Sequence, residues 1–204
     1  MLLVTKSIVG TCVHDVATAR QAPDDRLYIA AVTAVTLAWQ DARMTTERFE
    51  VQRPIAADAA AIFAVLCDPL GHVAIDSSGM LMDASGEPAS AVDDTFVIHM
   101  DREALNDFPM GRYDVTVRIV TFVPDREIAW TILGLIQPPI GHIYGYRLEP
   151  TDTGTLVTSH YDWSTIDPTW KEADIFPIIP ESALRATLGI LERTVAHGWV
   201  PSRS

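Results

Sequence analysis

Cysteine is almost missing from this chain: 204 residues contain only Cys12 and Cys67. Two thiols far apart in sequence make neither a disulfide framework nor a zinc site, and they fit a reducing, cytoplasmic setting. Positive charge is also scarce, with 15 Lys and Arg against 27 Asp and Glu and a net charge of −12. An acidic surface repels phosphate backbones and anionic headgroups, so neither nucleic acid nor charge-driven membrane binding is expected. Long apolar runs are missing too. The best window, residues 27–39, falls short of the roughly 18 to 20 apolar residues that span a bilayer. It follows Asp24 and Asp25, where a secretory leader would carry basic residues.

Several chemistries lack their sequence signatures. The six histidines are scattered and never take the paired spacing of a zinc helix, so no metal is expected. Gly141 and Gly145 lie inside a strand-like stretch and open no helix, so no phosphate loop and no nucleotide cofactor are indicated. No Gly-flanked serine sits at a strand-to-helix elbow, which leaves a Ser/His/Asp mechanism without an anchor.

What is present is a run of strand-like segments closed by one amphipathic helix. In residues 180–197, Leu184, Leu188, Leu191 and Val195 recur at spacings of four, three and four, while Arg185, Glu192 and Arg193 fall elsewhere around the axis. Pro180 and Glu181 suit the first turn, and Gly198 and Pro201 end the helix. Upstream, strand patterns fall at residues 79–83, 95–100, 111–123, 126–133, 140–149 and 155–165. Gly86-Glu87-Pro88, Pro124-Asp125 and Asp152-Thr153-Gly154 mark turns between them, which makes consecutive antiparallel hairpins the economical arrangement.

Net charge divides the chain. Residues 1–43 balance Lys6, Arg20, Arg26 and Arg43 against Asp15, Asp24, Asp25 and Asp41, so the whole acidic excess follows Met44. Met44 opens a polar start that leads into an alternating strand, with Phe49 and Val51 on one side and Glu50 and Gln52 on the other. Residues 1–43 therefore read as a loosely attached N-terminal extension or as an upstream stretch translated from a start assigned too early. A docked helix over residues 27–42 is the competing reading. Residues 44–204 form the expected domain. After its first strand, Ala59, Ile62, Phe63 and Leu66 share the face of a short helix ended by Asp68-Pro69, and residues 70–76 make a second short helix or turn.

Alternation along the strands sorts side chains into faces. Tyr113, Val115, Val117 and Ile119 point one way; so do His142, Tyr144, Tyr146 and Leu148, and likewise Val157, Ser159, Tyr161 and Trp163. Phenols, an indole and an imidazole among aliphatics make an apolar pocket with a few polar handles.

Five stretches carry a resemblance: RPIAADAAAIFAVLCDP, GHVAIDSSGM, FVPDREIAW, YRLEPTDTGTLVTSHYDWS and FPIIPESALRATLGILERTV. In this order they resemble the START-like helix-grip superfamily, also called SRPBCC, and within it the polyketide cyclase/dehydrase branch. The resemblance covers residues 45–199. It implies an α+β fold in which a curved antiparallel sheet of about seven strands wraps a long C-terminal helix, with two short helices after the first strand. It also implies a cavity between sheet and helix, entered near the hairpin tips and the helix N-terminus. Applied to this chain, the expected lining is Phe96, Ile98, Met100, Tyr113, Val115, Val117, Trp130, His142, Tyr144, Tyr146, Tyr161, Leu184 and Leu188. Residues 165–179, with Trp170, Phe176 and Pro177, would pack over one end as a lid.

The expected function is binding of a hydrophobic or aromatic small molecule, lipid or polyketide-like, without a cofactor. Two alternatives stand beside it. One is a cyclase or dehydratase acting through His142 with Tyr144 and Tyr146; the other is an interaction module like the activators of the heat-shock ATPase. His72 with Asp76, His99 with Asp101 and His160 with Asp162 are further acid–base candidates. Each has a plain reading, as a helix-surface pair or as strand-edge pairs, the last on the wet face. Oligomeric state is left open by the sequence.

Overall fold

Among the described residues, alternating and helical patterns resolve into seven strands and four helices. The structure, a computed structural model, describes residues 47–103, 110–134, 137–173 and 175–200; the expectations for residues 1–43 lie outside the described residues. The strands are β1 (Arg48–Ile55), β2 (Leu81–Ser85), β3 (Thr95–Asp101), β4 (Arg112–Val123), β5 (Glu127–Leu133), β6 (Ile143–Thr151) and β7 (Gly154–Asp162). The helices are α1 (Ala59–Cys67), α2 (Pro69–Ile75), α3 (Pro168–Glu172) and α4 (Glu181–Ala196).

All seven strands form one antiparallel sheet in the order β1-β7-β6-β5-β4-β3-β2. Strands β2 to β7 are a chain of hairpins, and β1 returns to pair with β7. The first two strands thus occupy opposite edges, with α1 and α2 carrying the chain between them. Asp68 ends α1 and starts α2: its carboxylate accepts from the Leu70 amide at 2.9 Å, and Pro69 fills the first helical position, where a missing N–H costs nothing. The curved sheet, the C-terminal helix and the paired short helices make the helix-grip fold.

The core lies between the sheet and these helices. Leu184, Leu188 and Leu191 of α4 are buried, as the four-three spacing requires, and each contributes about 2 kcal/mol of apolar burial. They meet α1, α2 and β1. Arg53 of β1 donates to Glu192 of α4 at 2.7 Å, an exposed pair that adds little beyond orientation. Opposite the core, Arg48, Glu50, Arg147 and Asp162 form a chain of ion pairs over β1, β6 and β7.

Strand β7 ends at Asp162, whose carboxylate accepts from the Ser164 amide, instead of at residue 165, and two strand starts differ from the sequence patterns by two residues or more. Strand β2 starts at Leu81 instead of residue 79, because Asp76 holds the preceding loop: its carboxylate accepts from the Ser78 amide and hydroxyl and from the Leu81 amide. Strand β6 starts at Ile143 instead of residue 140. Gly141 has φ +85°, a left-handed backbone that breaks the extended run and leaves His142 just ahead of the strand.

Candidate functional site

Between the sheet's inner face and α4 lies a cavity of about 610 Å³. Strands β3 to β6 supply Ile98, Met100, Tyr113, Val115, Val117, Trp130, Tyr144 and Tyr146; α2 supplies His72 and Ile75; α4 supplies Ala183, Leu184 and Thr187. One end is closed by Trp170, Ile175, Pro177, Ile178 and Ile179, from the connection between β7 and α4. The expected lid segment therefore forms part of the wall. Its indole donates to the Pro138 carbonyl at 3.0 Å, tying the segment to the loop before β6.

Most of the expected lining faces this space: Ile98, Met100, Tyr113, Val115, Val117, Trp130, His142, Tyr144, Tyr146 and Leu184. Phe96, Tyr161 and Leu188 do not. They are at most 2% exposed and pack behind the wall, Phe96 against the His72 ring and Tyr161 against Tyr144. Alternation assigns a side chain to a face but not to a layer, and a large ring on the same face can cover its neighbour. The helix and loop contributions, His72, Asp76, Ser77, Ser78 and Arg102 among them, have no period-two signal to reveal them.

Of the three histidines that border the cavity, His72 and His142 present their rings at different places on the inner face. His142 faces Tyr161, with Nδ1 3.3 Å from the phenol oxygen, and its ring meets Tyr144 and Phe176 edge-on. Tyr144 and Tyr161 stack with centroids 4.3 Å apart and planes 5° from parallel. Burial lowers the His142 pKa to about 4, so the ring is neutral at pH 7. Nε2 is buried without a hydrogen-bond partner among the described residues. Burial raises the Tyr144 phenol well above its usual range, aided by the neighbouring Tyr161 and opposed by the Arg102 cation. Tyr146 and Tyr161 are pushed up to about 12, again chiefly by burial, so all three phenols keep their protons.

His72 sits across Trp130 from this group. Its ring lies 4.6 Å from the indole, while Tyr144 and Tyr146 stack on the same indole at 6.4 and 5.9 Å. Nε2 is 2.8 Å from the Leu66 carbonyl. A carbonyl only accepts, so Nε2 carries the proton. Burial lowers the pKa to about 4, outweighing the opposing effects of that carbonyl and of Asp68. The ring is therefore neutral, with a bare lone pair on Nδ1. The surface pairing of His72 with Asp76 is not formed: His72 turns inward, and Asp76 serves the loop amides.

The other paired candidates also separate. His99 is exposed and faces Asp114 at 2.8 Å, while Asp101 pairs with Arg112. His160 is on the outer face yet 6% exposed, because Gly145 opposite it has no side chain; a Cβ there would come 2.6 Å from the His160 ring. Burial, with Arg48 and Arg147 adding to it and Asp162 opposing, lowers the His160 pKa to about 4. No group of three or more potential metal ligands is gathered among the described residues. No described helix is long and apolar enough to cross a membrane.

No family model matches the chain, and no curated protein matches it. Solved structures do. The chain is similar to protein Ms6760 from Mycobacterium smegmatis, with a TM-score of 0.54 at 12% identity over 76% of this chain and 95% of that one. It is similar to protein CV1439 from Chromobacterium violaceum, with a TM-score of 0.52 at 15% identity over 74% of this chain and 95% of that one. The Aha1 dimer from Colwellia psychrerythraea aligns with a TM-score of 0.49 at 17% identity, over 75% of this chain and 98% of that one.

Proposed function

Because the chain has the helix-grip fold of the START-like superfamily, we propose that it binds a hydrophobic or aromatic small molecule between sheet and C-terminal helix. The observation that carries this reading is the cavity of about 610 Å³, walled by aliphatic side chains and by Trp130, Tyr144 and Tyr146. That volume suits a drug-sized apolar molecule, and a water-filled space lined this way would be costly to maintain. The exposed large apolar side chains support the same choice over a surface-interaction role. Met110 and Ile175 border the cavity, whereas Met82, Val92, Val123 and Val200 fall on separate elements.

The test is native mass spectrometry of protein purified gently from its own host, followed by extraction of what is bound. A stoichiometric apolar adduct is the expected result. A clean apo mass that persists after incubation with host lipid extract would sink the reading.

A catalytic version gives the chemistry to His142, Tyr144 and Tyr146, as cyclisation or dehydration without metal or nucleotide. What supports it is a neutral imidazole in contact with two phenols. With an extracted compound in hand, His142→Ala is expected to lower its turnover by about 10² to 10⁴ while weakening its binding only modestly. Unchanged turnover removes His142 from the chemistry.

A further inference from the structure

Across β2, β3 and β4 the strand register gathers a serine, a histidine and an aspartate on the outer face of the sheet, opposite the cavity. His99 pairs with Asp83 of β2 on one side and with Asp114 of β4 on the other, and Ser85 lies two residues further along β2, diagonal to His99. The ring bridges its neighbours. Nδ1 is 2.8 Å from the Asp114 carboxylate, and Nε2 is 3.2 Å from the Ser85 hydroxyl. A carboxylate only accepts, so Nδ1 carries the proton of the neutral imidazole. Nε2 then presents a lone pair, and the Ser85 hydroxyl donates to it. No glycine-flanked elbow announces this serine in the sequence, because the three residues meet only through the pairing of three strands.

We propose that Ser85 is a nucleophile activated by His99, and that it takes the acyl group of an activated ester. Oγ attacks the ester carbonyl carbon as its proton passes to Nε2; the bond from that carbon to the leaving oxygen breaks, and the leaving group departs with the proton from Nε2. The products are an acyl-serine and the freed alcohol or phenol. Asp114 acts through His99, holding the ring in the tautomer that leaves Nε2 bare, and is a positioning residue. Carboxylates on both sides of the ring, Asp83 and Asp114, favour the imidazolium that forms during the transfer.

The place is open to a reagent. The side chains of His99 and Asp114 are 40% and 65% exposed, and Ser85 is exposed. Among the described residues no strand lies beyond β2, so an ester reaches Ser85 from the edge of the sheet as well as from its face. Val97, opposite Ser85 and half-buried, gives a short acyl chain an apolar surface to lie on. A hydrogen-bonded chain that only decorated the sheet would leave Ser85 as unreactive as any other exposed serine.

The full chain is incubated with 4-nitrophenyl acetate and digested, and acetylated peptides are followed over time by mass spectrometry. The expected result is an acetyl group on Ser85, absent in Ser85→Ala and formed about 10²-fold more slowly in His99→Gln. Asp114→Asn should slow it about tenfold, less than for a buried carboxylate because this one is screened by water. Asp114→Glu, which keeps the carboxylate, should recover part of the rate; a merely structural Asp114 would not make that distinction.

These side chains face solvent, so the variants should unfold at the temperature of the unaltered protein, and a loss of reactivity is not a loss of fold. No acetyl group on Ser85, or a Ser85 rate unchanged in His99→Gln, overturns the proposal. So does an acetyl group confined to His99 or to lysine. Either result leaves ligand binding in the cavity standing, since the two sites lie on opposite faces of the sheet.

Discussion

Acidification from pH 7 to about 4.5 is expected to remove most of the stability of the sheet-and-helix domain. His72 and His142 are buried and neutral, with pKa values lowered from 6.5 to about 4. Between those two values the unfolded chain binds protons that the folded chain refuses, so stability falls as pH falls. The contribution is fully present above pH 6.5 and is lost progressively down to about 4. For each of the two rings it amounts to about 3 kcal/mol, and His160 acts in the same direction. Together this is a large part of the roughly 5 to 15 kcal/mol that holds a domain folded. Exposed carboxylates do not explain the same window. Asp94 and Asp101 accept bonds from the Ser90 and Glu103 amides, which hold them below 3.8, so their effect comes at lower pH. Urea midpoints measured from pH 8 to 5 should be flat above about 6.5 and steep below it. A midpoint unchanged between pH 7 and 5 would show that these rings are not held neutral in the fold.

Filling the cavity has the second large effect. Ala183 lies in the first turn of α4 and borders the open space, while its carbonyl accepts from Ser77 at 2.9 Å through the backbone alone. Ala183→Trp keeps that bond and places an indole where ligand would lie. Affinity for an aromatic probe, 2-naphthol, is expected to fall at least about a hundredfold, equivalent to about 3 kcal/mol. Thermal unfolding should shift by no more than about 3 °C, because the ring enters existing space and does not crowd packed atoms. Ser182→Trp, one residue away and exposed, is the control and should bind as the unaltered protein does. Equal binding by the two variants would mean that the probe sits elsewhere.

The sheet and α4 were legible in the sequence because each has a strict period with one buried side. Val115, Val117 and Ile119 alternate with the solvent-facing side of β4, and Leu184, Leu188 and Leu191 stack along α4. Much of the lining followed from the same alternation. The residues that it could not give are those set by irregular backbone. Arg102 follows the last residue of β3, and Ser77 and Ser78 hang on a loop ordered by Asp76. His72 was visible only as one of a pair four residues apart on a short helix. Nothing local distinguishes an outward pair from an inward ring. The deciding contact, a carbonyl six residues back on the previous helix, depends on how α1 and α2 pack.

The edge position of β1 has a consequence in time. Arg48 bonds Asp162 across the β1–β7 ladder, two residues 114 apart in the chain. At the roughly 5 to 20 residues per second of ribosomal synthesis, β1 waits about 6 to 23 seconds for β7, its strand partner among the described residues, to be made. The hairpins from β2 to β6 can zip up as they emerge, each needing only its neighbour. The first of the described strands is thus the last to join the sheet, and until it does, neither α1 nor the groove that α4 will fill has a finished wall to close against.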